Sequence, residues 1–505
     1  MENIDNDLRS IQEARNLARL GKIATVQIAD YTEEQINRIL CNMVRVAEEN
    51  AVCLAKMAVE ETGFGKVEDK TYKNHMASTI VYNAIKDMKT IGVISENKDN
   101  KVIDIAEPVG LIMGIVPSTN PTSTAIYKAI IAIKSRNAII FSPHPAALKC
   151  TMKAITLMND AAVAAGAPAN IISCISTLSI GATNELMKCK EVSMIIATGG
   201  PGMVKAAYSA GKPALGVGAG NSPAYIEKTA NVPQAVKNII SSKTFDNGTI
   251  CASEQSIIVE ECNHDQVVAE FKKQGGYFMT SDETAKVCNL LFKNGGHTMN
   301  AKFVGRSPQV IATASGISIP EGTKILIGEQ QGVGDAYPLS FEKLTTVIAF
   351  YTVKDWHEAC DLSIKLLQNG IGHTMSIHTE DEEMVMKFAK KPAARILVNT
   401  GSSQGGTGAS TGLLPAFTLG CGTWGGSSVS ENVGPMHLIN IKRVAYGIKD
   451  CSTLAYDDPT FNLSSSNEVG CCATSPDAYA SMNGTDNEKL LKLINELVIA
   501  MKGAN

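Results

Sequence analysis

Of the thirteen cysteines in the chain, Cys251 stands apart in the run Phe245-Asp246-Asn247-Gly248-Thr249-Ile250-Cys251-Ala252-Ser253-Glu254. A cysteine that only packs has apolar neighbours. This one follows a short polar segment with a glycine, a setting in which dipoles or cations can stabilise a thiolate and present it to an electrophile. Four other segments could serve such a nucleophile. In Val116-Pro117-Ser118-Thr119-Asn120-Pro121 an apolar run ends on an amide, which either donates to an oxyanion or caps the next helix. Ala197-Thr198-Gly199-Gly200-Pro201-Gly202-Met203-Val204 reads as strand, glycine turn and helix, whose free N-terminal amides would suit a dinucleotide phosphate. It does not match G-x-G-x-x-G, and a turn that only needs small residues explains it equally well. The other two are Gly216-Val217-Gly218-Ala219-Gly220-Asn221-Ser222-Pro223 and Phe341-Glu342-Lys343-Leu344-Thr345-Thr346-Val347, where Glu342 either accepts from ribose hydroxyls or is simply solvated.

These segments need a scaffold, and the pattern around them supplies one. From about residue 103, short apolar runs (109–116, 138–141, 171–175, 194–197) alternate with Ala-rich helical stretches (123–133, 146–165, 182–189, 202–210). Such alternation predicts right-handed βαβ crossovers and a parallel sheet, hence an α/β fold. The rhythm restarts near 241 with the Cys251 segment, a strand at 256–259 and a helix at 264–274. This gives two expected domains: 1–240, with 433–505 returning to it, and 241–432. Before the sheet, Ile4, Leu8, Ile11, Ala14, Leu17 and Leu20 form one apolar stripe, and helical patterns run through 33–90, broken at Thr62-Gly63-Phe64-Gly65. Residues 399–428 are rich in Gly, Ser and Thr, and a loop of that length in a compact protein is usually functional.

Composition narrows the classes. A chain of 505 residues with net charge −4, 19% charged and 5% aromatic residues, and scattered Lys and Arg predicts no nucleic-acid partner. There is no Cys-x-x-Cys framework, export signal or membrane-length apolar run, so the expectation is a cytoplasmic protein with no membrane association. No metal is expected, since His373 and His378 fit no metal-binding spacing.

Taken together and in order, these segments resemble the aldehyde dehydrogenase superfamily, most specifically at Asn120, Thr198 to Gly200, Cys251 and Glu342. The resemblance implies a Rossmann-type cofactor domain, an α/β catalytic domain carrying the thiol, and a small strand extension used in oligomers, placed at 101–105 and 437–444. It implies Cys251 as nucleophile and Asn120 as oxyanion donor. It also implies cofactor contacts from Pro117, Ser118, Thr198, Gly199, Gly200, Gly202, Gly218 and Glu342. Where hydrolytic members carry Glu-Leu-Gly-Gly-Lys, this chain reads Val217-Gly218-Ala219-Gly220-Asn221. Valine cannot activate water, so a Cys251 thioester should wait for a better nucleophile such as coenzyme A.

The wording of the motifs is similar to the aldehyde half of bifunctional aldehyde-alcohol dehydrogenases. The iron-dependent half has no counterpart here, which predicts a stand-alone acylating enzyme. Expected partners are NAD, with NADP possible because nothing near Pro145 selects against a phosphate, together with coenzyme A and a small aldehyde. Thr249, Ile250, His373 and Thr411 are expected along the substrate and CoA path, His373 being equally readable as structural. Acetaldehyde is the default substrate. The hydroxyl-rich loop 399–412 could instead seat an anionic head group, as in sulfoacetaldehyde, or merely permit close packing, and a hydrolytic enzyme is the third reading. A homodimer or homotetramer is expected, with an apolar stripe at 488–501 as one contact and no function assigned to 450–483.

Overall fold

The computed structural model describes residues 5–293 and 298–452. Ile4, the 453–483 segment with Cys471-Cys472, and the 488–501 stripe therefore lie outside the described residues. The apolar runs between 109 and 217 become five parallel strands, β3 (Leu111–Val116), β4 (Ala138–Pro143), β5 (Ile172–Cys174), β6 (Val192–Thr198) and β7 (Ala214–Val217). Their order across the sheet is β5-β4-β3-β6-β7. The chain leaves β3 to one side, returns, and continues on the other, so β3 and β6 meet at a topological switch point where ligands of open α/β sheets bind. Strands buried on both faces read as continuous apolar runs, as β3 and β4 do.

The second sheet has seven strands, β8 (Ser222–Ile226), β9 (Glu254–Glu260), β10 (Gly276–Met279), β13 (Ile325–Glu329), β14 (Val347–Val353), β15 (Gly372–His378) and β16 (Ala393–Val398). Their order is β10-β13-β14-β9-β8-β15-β16, all parallel. This sheet starts earlier in the chain than the boundary at 241. β8 inserts between β9 and β15, pairing Tyr225 with both Ile258 and Ile377. Its five residues are too short a run, and too close to the glycine segment 216–220, to be separated from the first sheet by pattern alone.

A three-stranded sheet joins β1 (Gly92–Asn97), β2 (Val102–Pro108) and β17 (Ile439–Ala445), one strand more than the extension expected at 101–105 and 437–444. Lys442 and Arg443 pair with Glu107 and Asp104 across it. A short antiparallel pair, β11 (Phe292–Lys293) and β12 (Thr298–Met299), completes the strands.

Residues 5–96 with 103–444 form one compact unit. A second unit comprises 97–102 with 445 onward; in its described part the Tyr446 amide donates to the Lys101 carbonyl and Asp450 caps Ser452. In the N-terminal region, helices Asn6–Ile28, Glu33–Glu49, Ala51–Thr62 and Val67–His75 occupy the stretch read as helical. The break at 62–65 coincides with Gly63 and Gly65, both at positive φ. Among the described residues no helix is long and apolar enough to cross a membrane.

Candidate active site

Cys251 is delivered by a turn that only certain residues can make. The helix Val232–Thr244 ends, and Asp246, Asn247 and Gly248 then take successive left-handed conformations (φ 49°, 52° and 78°) before the chain reaches Cys251 and enters β9. Asp and Asn tolerate this region better than other side chains, and a Cβ on Gly248 would lie 2.6 Å from the Thr345 carbonyl. Gly220 is required for a related reason, since a Cβ there would lie 1.9 Å from the Cys251 carbonyl oxygen.

The cysteine opens onto a cleft of about 530 Å³ that begins at the switch point of the five-stranded sheet. Its walls include Pro117, Ser118 and Asn120 after β3, Thr198 at the end of β6 with Gly199 and Gly200 after it, and Gly218, Thr249, Ile250, Cys251 and Glu342. Residues more than 200 positions apart in sequence are thus brought to one surface. Three expected residues are not among those lining it, Gly202, His373 and Thr411. Gly202 is exposed as the second residue of the helix Pro201–Tyr208, and Thr411 turns its hydroxyl onto the Gly405 carbonyl at 2.8 Å. The loop 399–412 is largely self-contained: Ser402–Gly406 is helical, Thr400 and Ser410 bond each other, and of its residues only Thr407 reaches the cleft.

The geometry removes the capping alternative for Asn120. Asn120 precedes the helix Pro121–Lys134, where Pro121 suits the first helical position, but its side chain makes no cap bond. Instead Nδ2 donates to the Thr249 carbonyl (3.1 Å) and the Thr119 hydroxyl (3.2 Å). Glu342 is not a solvated loop residue either. It is half-buried and accepts from the Gly220 amide at 3.0 Å, and burial pushes its carboxyl up to about 8.

His373, expected along the substrate path, lies against the thiol itself. It is fully buried on β15, with Nε2 3.2 Å from Cys251 Sγ and Nδ1 2.8 Å from Thr374 Oγ1. When Nδ1–H donates to the threonine, the Nε2 lone pair faces the thiol. Burial, reinforced by the nearby Arg395 guanidinium, pushes the imidazole down to about 3, so it is neutral at pH 7. Burial and the Glu342 carboxyl push the Cys251 thiol up to about 12. At pH 7 the Cys251 thiol and the His373 imidazole beside it are therefore both uncharged.

Arg395, on β16, donates to the His373 carbonyl (2.9 Å), the Gly420 carbonyl (2.7 Å) and Asn432 Oδ1 (2.8 Å), bracing the histidine strand. Sequence reasoning missed this residue and the buried Lys73, which donates to Asn120 Oδ1 at 2.6 Å. Neither sits in a run that differs from an ordinary strand or helix surface, so no local signal marks them.

The cleft also has room for a ligand to approach the backbone. Cβ atoms placed on Gly200 and Gly218 would meet nothing within 4 Å, so the protein's own packing does not require glycine there. Among the described residues lining the cleft, Glu342 is the one carboxylate and none is Lys or Arg.

This architecture can be compared with known proteins. A sequence model of the aldehyde dehydrogenase family matches residues 7–286. The bifunctional aldehyde-alcohol dehydrogenase AdhE of Escherichia coli K12 is 48% identical over 443 residues, 86% of this chain and 50% of that protein. This chain thus spans about half the length of that relative. The sulfoacetaldehyde dehydrogenase (acylating) of Bilophila wadsworthia is 40% identical, with 86% of this chain and 94% of that one covered. Among solved structures, an acetylating aldehyde dehydrogenase from Geobacillus thermoglucosidasius is 53% identical with a TM-score of 0.87, covering 88% of this chain and 99% of that one. A Rhodopseudomonas palustris propionaldehyde dehydrogenase, solved with bound CoA and an acylated cysteine, is 28% identical with a TM-score of 0.78, covering 86% and 97%. With a family model matched over more than half of its residues and relatives aligned along most of its length, the chain belongs to the aldehyde dehydrogenase family.

Proposed function

We propose that the protein is a CoA-acylating aldehyde dehydrogenase that oxidises a short neutral aldehyde, acetaldehyde by default, to its acyl-CoA thioester. The observation that carries this reading is the contact of Cys251 with a neutral His373, in a cleft where the hydrolytic base position is occupied by Val217, 1% exposed at the end of β7. The acylated cysteine and bound CoA of the Rhodopseudomonas relative support it.

The cleft fits NAD(P), through the open glycine backbone at 199, 200 and 218, the segment Pro117–Ser118, and Glu342. When bound, NAD(P) supplies the acceptor for the hydride that leaves the substrate carbon. The protein's own residues carry out the rest. As Cys251 Sγ bonds to the aldehyde carbon, the carbonyl π pair moves onto oxygen and the S–H proton moves to His373 Nε2. Because neither the free thiolate nor the free imidazolium is favoured in this buried setting, addition and proton transfer occur together. Asn120 Nδ2 and the Cys251 amide donate to the resulting oxyanion. After oxidation the acyl group remains on Cys251. His373 gives up this first proton to solvent; the CoA thiol then attacks the thioester carbon, its proton passes to His373, and the Cys251 sulfur leaves, taking that proton from His373 as it does so. Exchanging one thioester for another is nearly isoenergetic, so the sequence runs in both directions.

The substrate follows from the lining. Ile250, Phe417 and Leu419 are apolar, no lining residue is a cation, and the hydroxyls of Thr400, Thr407, Ser410 and Thr411 bond within the 399–412 loop itself. A sulfonate would enter this site without a counter-charge, which disfavours sulfoacetaldehyde despite the 40% identical relative. Subunit association through the β1-β2-β17 sheet and a cytoplasmic location belong to the same reading.

The test is reduced-cofactor formation with acetaldehyde and with sulfoacetaldehyde, each with and without CoA, using NAD and then NADP. Strict CoA dependence with acetaldehyde preferred is the expected result. Sustained turnover without CoA would overturn the acylating assignment and turn attention to Glu342 as a base for water. A preference for sulfoacetaldehyde would overturn the substrate.

A further inference from the structure

Beneath the cleft lies a buried ionic cluster that the chemistry above leaves unused. Lys70 and Lys73, on the helix Val67–His75, are 2% and 1% exposed, and Asp246 is fully buried. Lys73 Nζ donates to Asp246 Oδ2, to Thr249 Oγ1 (3.1 Å) and to Asn120 Oδ1 (2.6 Å). Lys70 Nζ donates to the same Asp246 oxygen (2.9 Å) and to the Thr119 carbonyl (2.8 Å). The other Asp246 oxygen accepts from the Lys66 amide at 2.8 Å, and Thr249 Oγ1 donates to Asp246 Oδ2 at 2.7 Å. Even the approach of this carboxylate is shaped: a Cβ on Gly65 would lie 1.8 Å from Asp246 Oδ1. One cation therefore touches both the amide after β3 and the turn that delivers Cys251.

A buried ion pair adds little to stability compared with apolar packing, so its presence here calls for another explanation. The side-chain amide supplies one. The two ends of an asparagine amide have nearly the same shape, and packing alone does not distinguish them. An ammonium group has donors and no acceptor. Placed 2.6 Å from one end of the amide, it accepts only the orientation with Oδ1 towards it, because the flipped amide would bring NH2 against NH3+.

We propose that Lys73 is a positioning residue that fixes the Asn120 amide with its N–H groups on the Cys251 side, held in turn by Asp246. This rests on the reading of Cys251 as the nucleophile. Without Lys73 the amide can turn its oxygen towards the developing oxyanion, where a lone pair repels rather than donates. A charge-assisted bond to Oδ1 also polarises the amide and strengthens its N–H donors. Of the two N–H groups, the one on the Thr119 hydroxyl is the one an alkoxide takes over, since a hydroxyl is the weaker acceptor.

The experiment is a double-mutant cycle between K73M and N120A, with kcat and the aldehyde KM measured for each variant and thermal melting as the folding check. N120A should lose the 10²- to 10³-fold in kcat typical of a missing oxyanion donor. K73M should lose about 10- to 100-fold in kcat, with the aldehyde KM within about threefold of wild type. The double variant should be no slower than N120A alone, because the proposed effect of Lys73 on the oxyanion runs through Asn120. K73Q, whose own amide can present either end, should fall between K73M and wild type, and it replaces K73M in the cycle if the methionine does not fold. A folded K73M with wild-type kcat, or losses that multiply in the double variant, would overturn the proposal. If the wild type turns over without CoA, the same cycle is read on that turnover, because both routes pass through the same oxyanion. The acyl acceptor, and not Lys73, is then the part that fails.

Discussion

Cys251 has two flanks that solve different problems. On one side His373 is neutral, wholly buried and 3.2 Å from the sulfur, and Arg395 bonds two carbonyls and an amide oxygen. On the other, Asn120 is held by Lys73, whose charge is matched by Asp246. The histidine flank has an available lone pair and no ion pair at the thiol, its one cation, Arg395, being held by backbone carbonyls and Asn432, which suits the proposed exchange of a proton with the sulfur. The asparagine flank has fixed ions and no proton to move, which suits a dipole that must already point the right way when charge develops. The difference shows why a buried ion pair is tolerated on one side of the thiol and avoided on the other.

The comparison can be broken at the residue both flanks serve. C251A should lower CoA-dependent NAD(P)H formation by 10⁴-fold or more while leaving the melting temperature close to wild type, measured by initial rates and thermal unfolding. H373N should lower kcat by about 10²- to 10⁴-fold, the range for losing a positioned base. In a cycle with N120A its loss should persist, because the two flanks act on different atoms. A loss confined to KM would remove His373 from the proton path. G220A acts on the cysteine that the two flanks share, with His373 the next residue the added Cβ meets. The added Cβ, 1.9 Å from the Cys251 carbonyl, must displace the cysteine, and a shift near 1 Å costs about 100-fold in rate. Wild-type kcat in G220A would show that the cysteine tolerates displacement.

The smallest effect is on stability. The imidazole of His373 has an ordinary value of 6.5 and is pushed down to about 3 in the folded protein, so as pH falls below 6.5 the unfolded chain takes up a proton that the folded one refuses. The contribution is complete above 6.5 and drains away as pH falls towards 3. H373Q lacks it, so between pH 7 and pH 5 wild type should lose about 2 kcal/mol relative to the variant. The asparagine flank should show no such change. Lys73, pushed down to about 8, stays protonated in both states across that interval, and Asp246, held low by Lys73 and Lys70 against its burial, is ionised in both. Unfolding curves of wild type, H373Q and K73Q at the two pH values check this.

Much of the first sheet could be read directly. Residues 109–116 and 138–141 are uninterrupted apolar runs because β3 and β4 are covered on both faces, and the Ala-rich stretches between them repeat at helical spacing. β8 could not be separated, since five buried residues carry no period that tells them from the strand before. Within the site, Cys251, Asn120 and Glu342 were legible because polar groups stand beside glycines and prolines at strand ends. His373 was readable as lining the substrate and CoA path or as structural, not as a neighbour of the thiol, and Thr411 does not line the cleft because its hydroxyl is taken by its own loop. Nothing in Glu68-Asp69-Lys70-Thr71-Tyr72-Lys73 distinguishes Lys73 from a solvated lysine.

By itself the sequence determined the chemistry available to this protein: a thiol in a polar turn, an amide at a strand end, glycines that leave backbone open, and a valine where hydrolytic relatives place a base. Those are properties of residue type and local spacing, and they survive without coordinates. The tertiary structure alone decided which groups touch that thiol. His373 lies 122 positions after Cys251, and Lys73 lies 47 before Asn120. Contacts across such separations depend on strand order and helix packing, which no local pattern encodes, and it is these contacts that assign the proton to one flank and the fixed charge to the other.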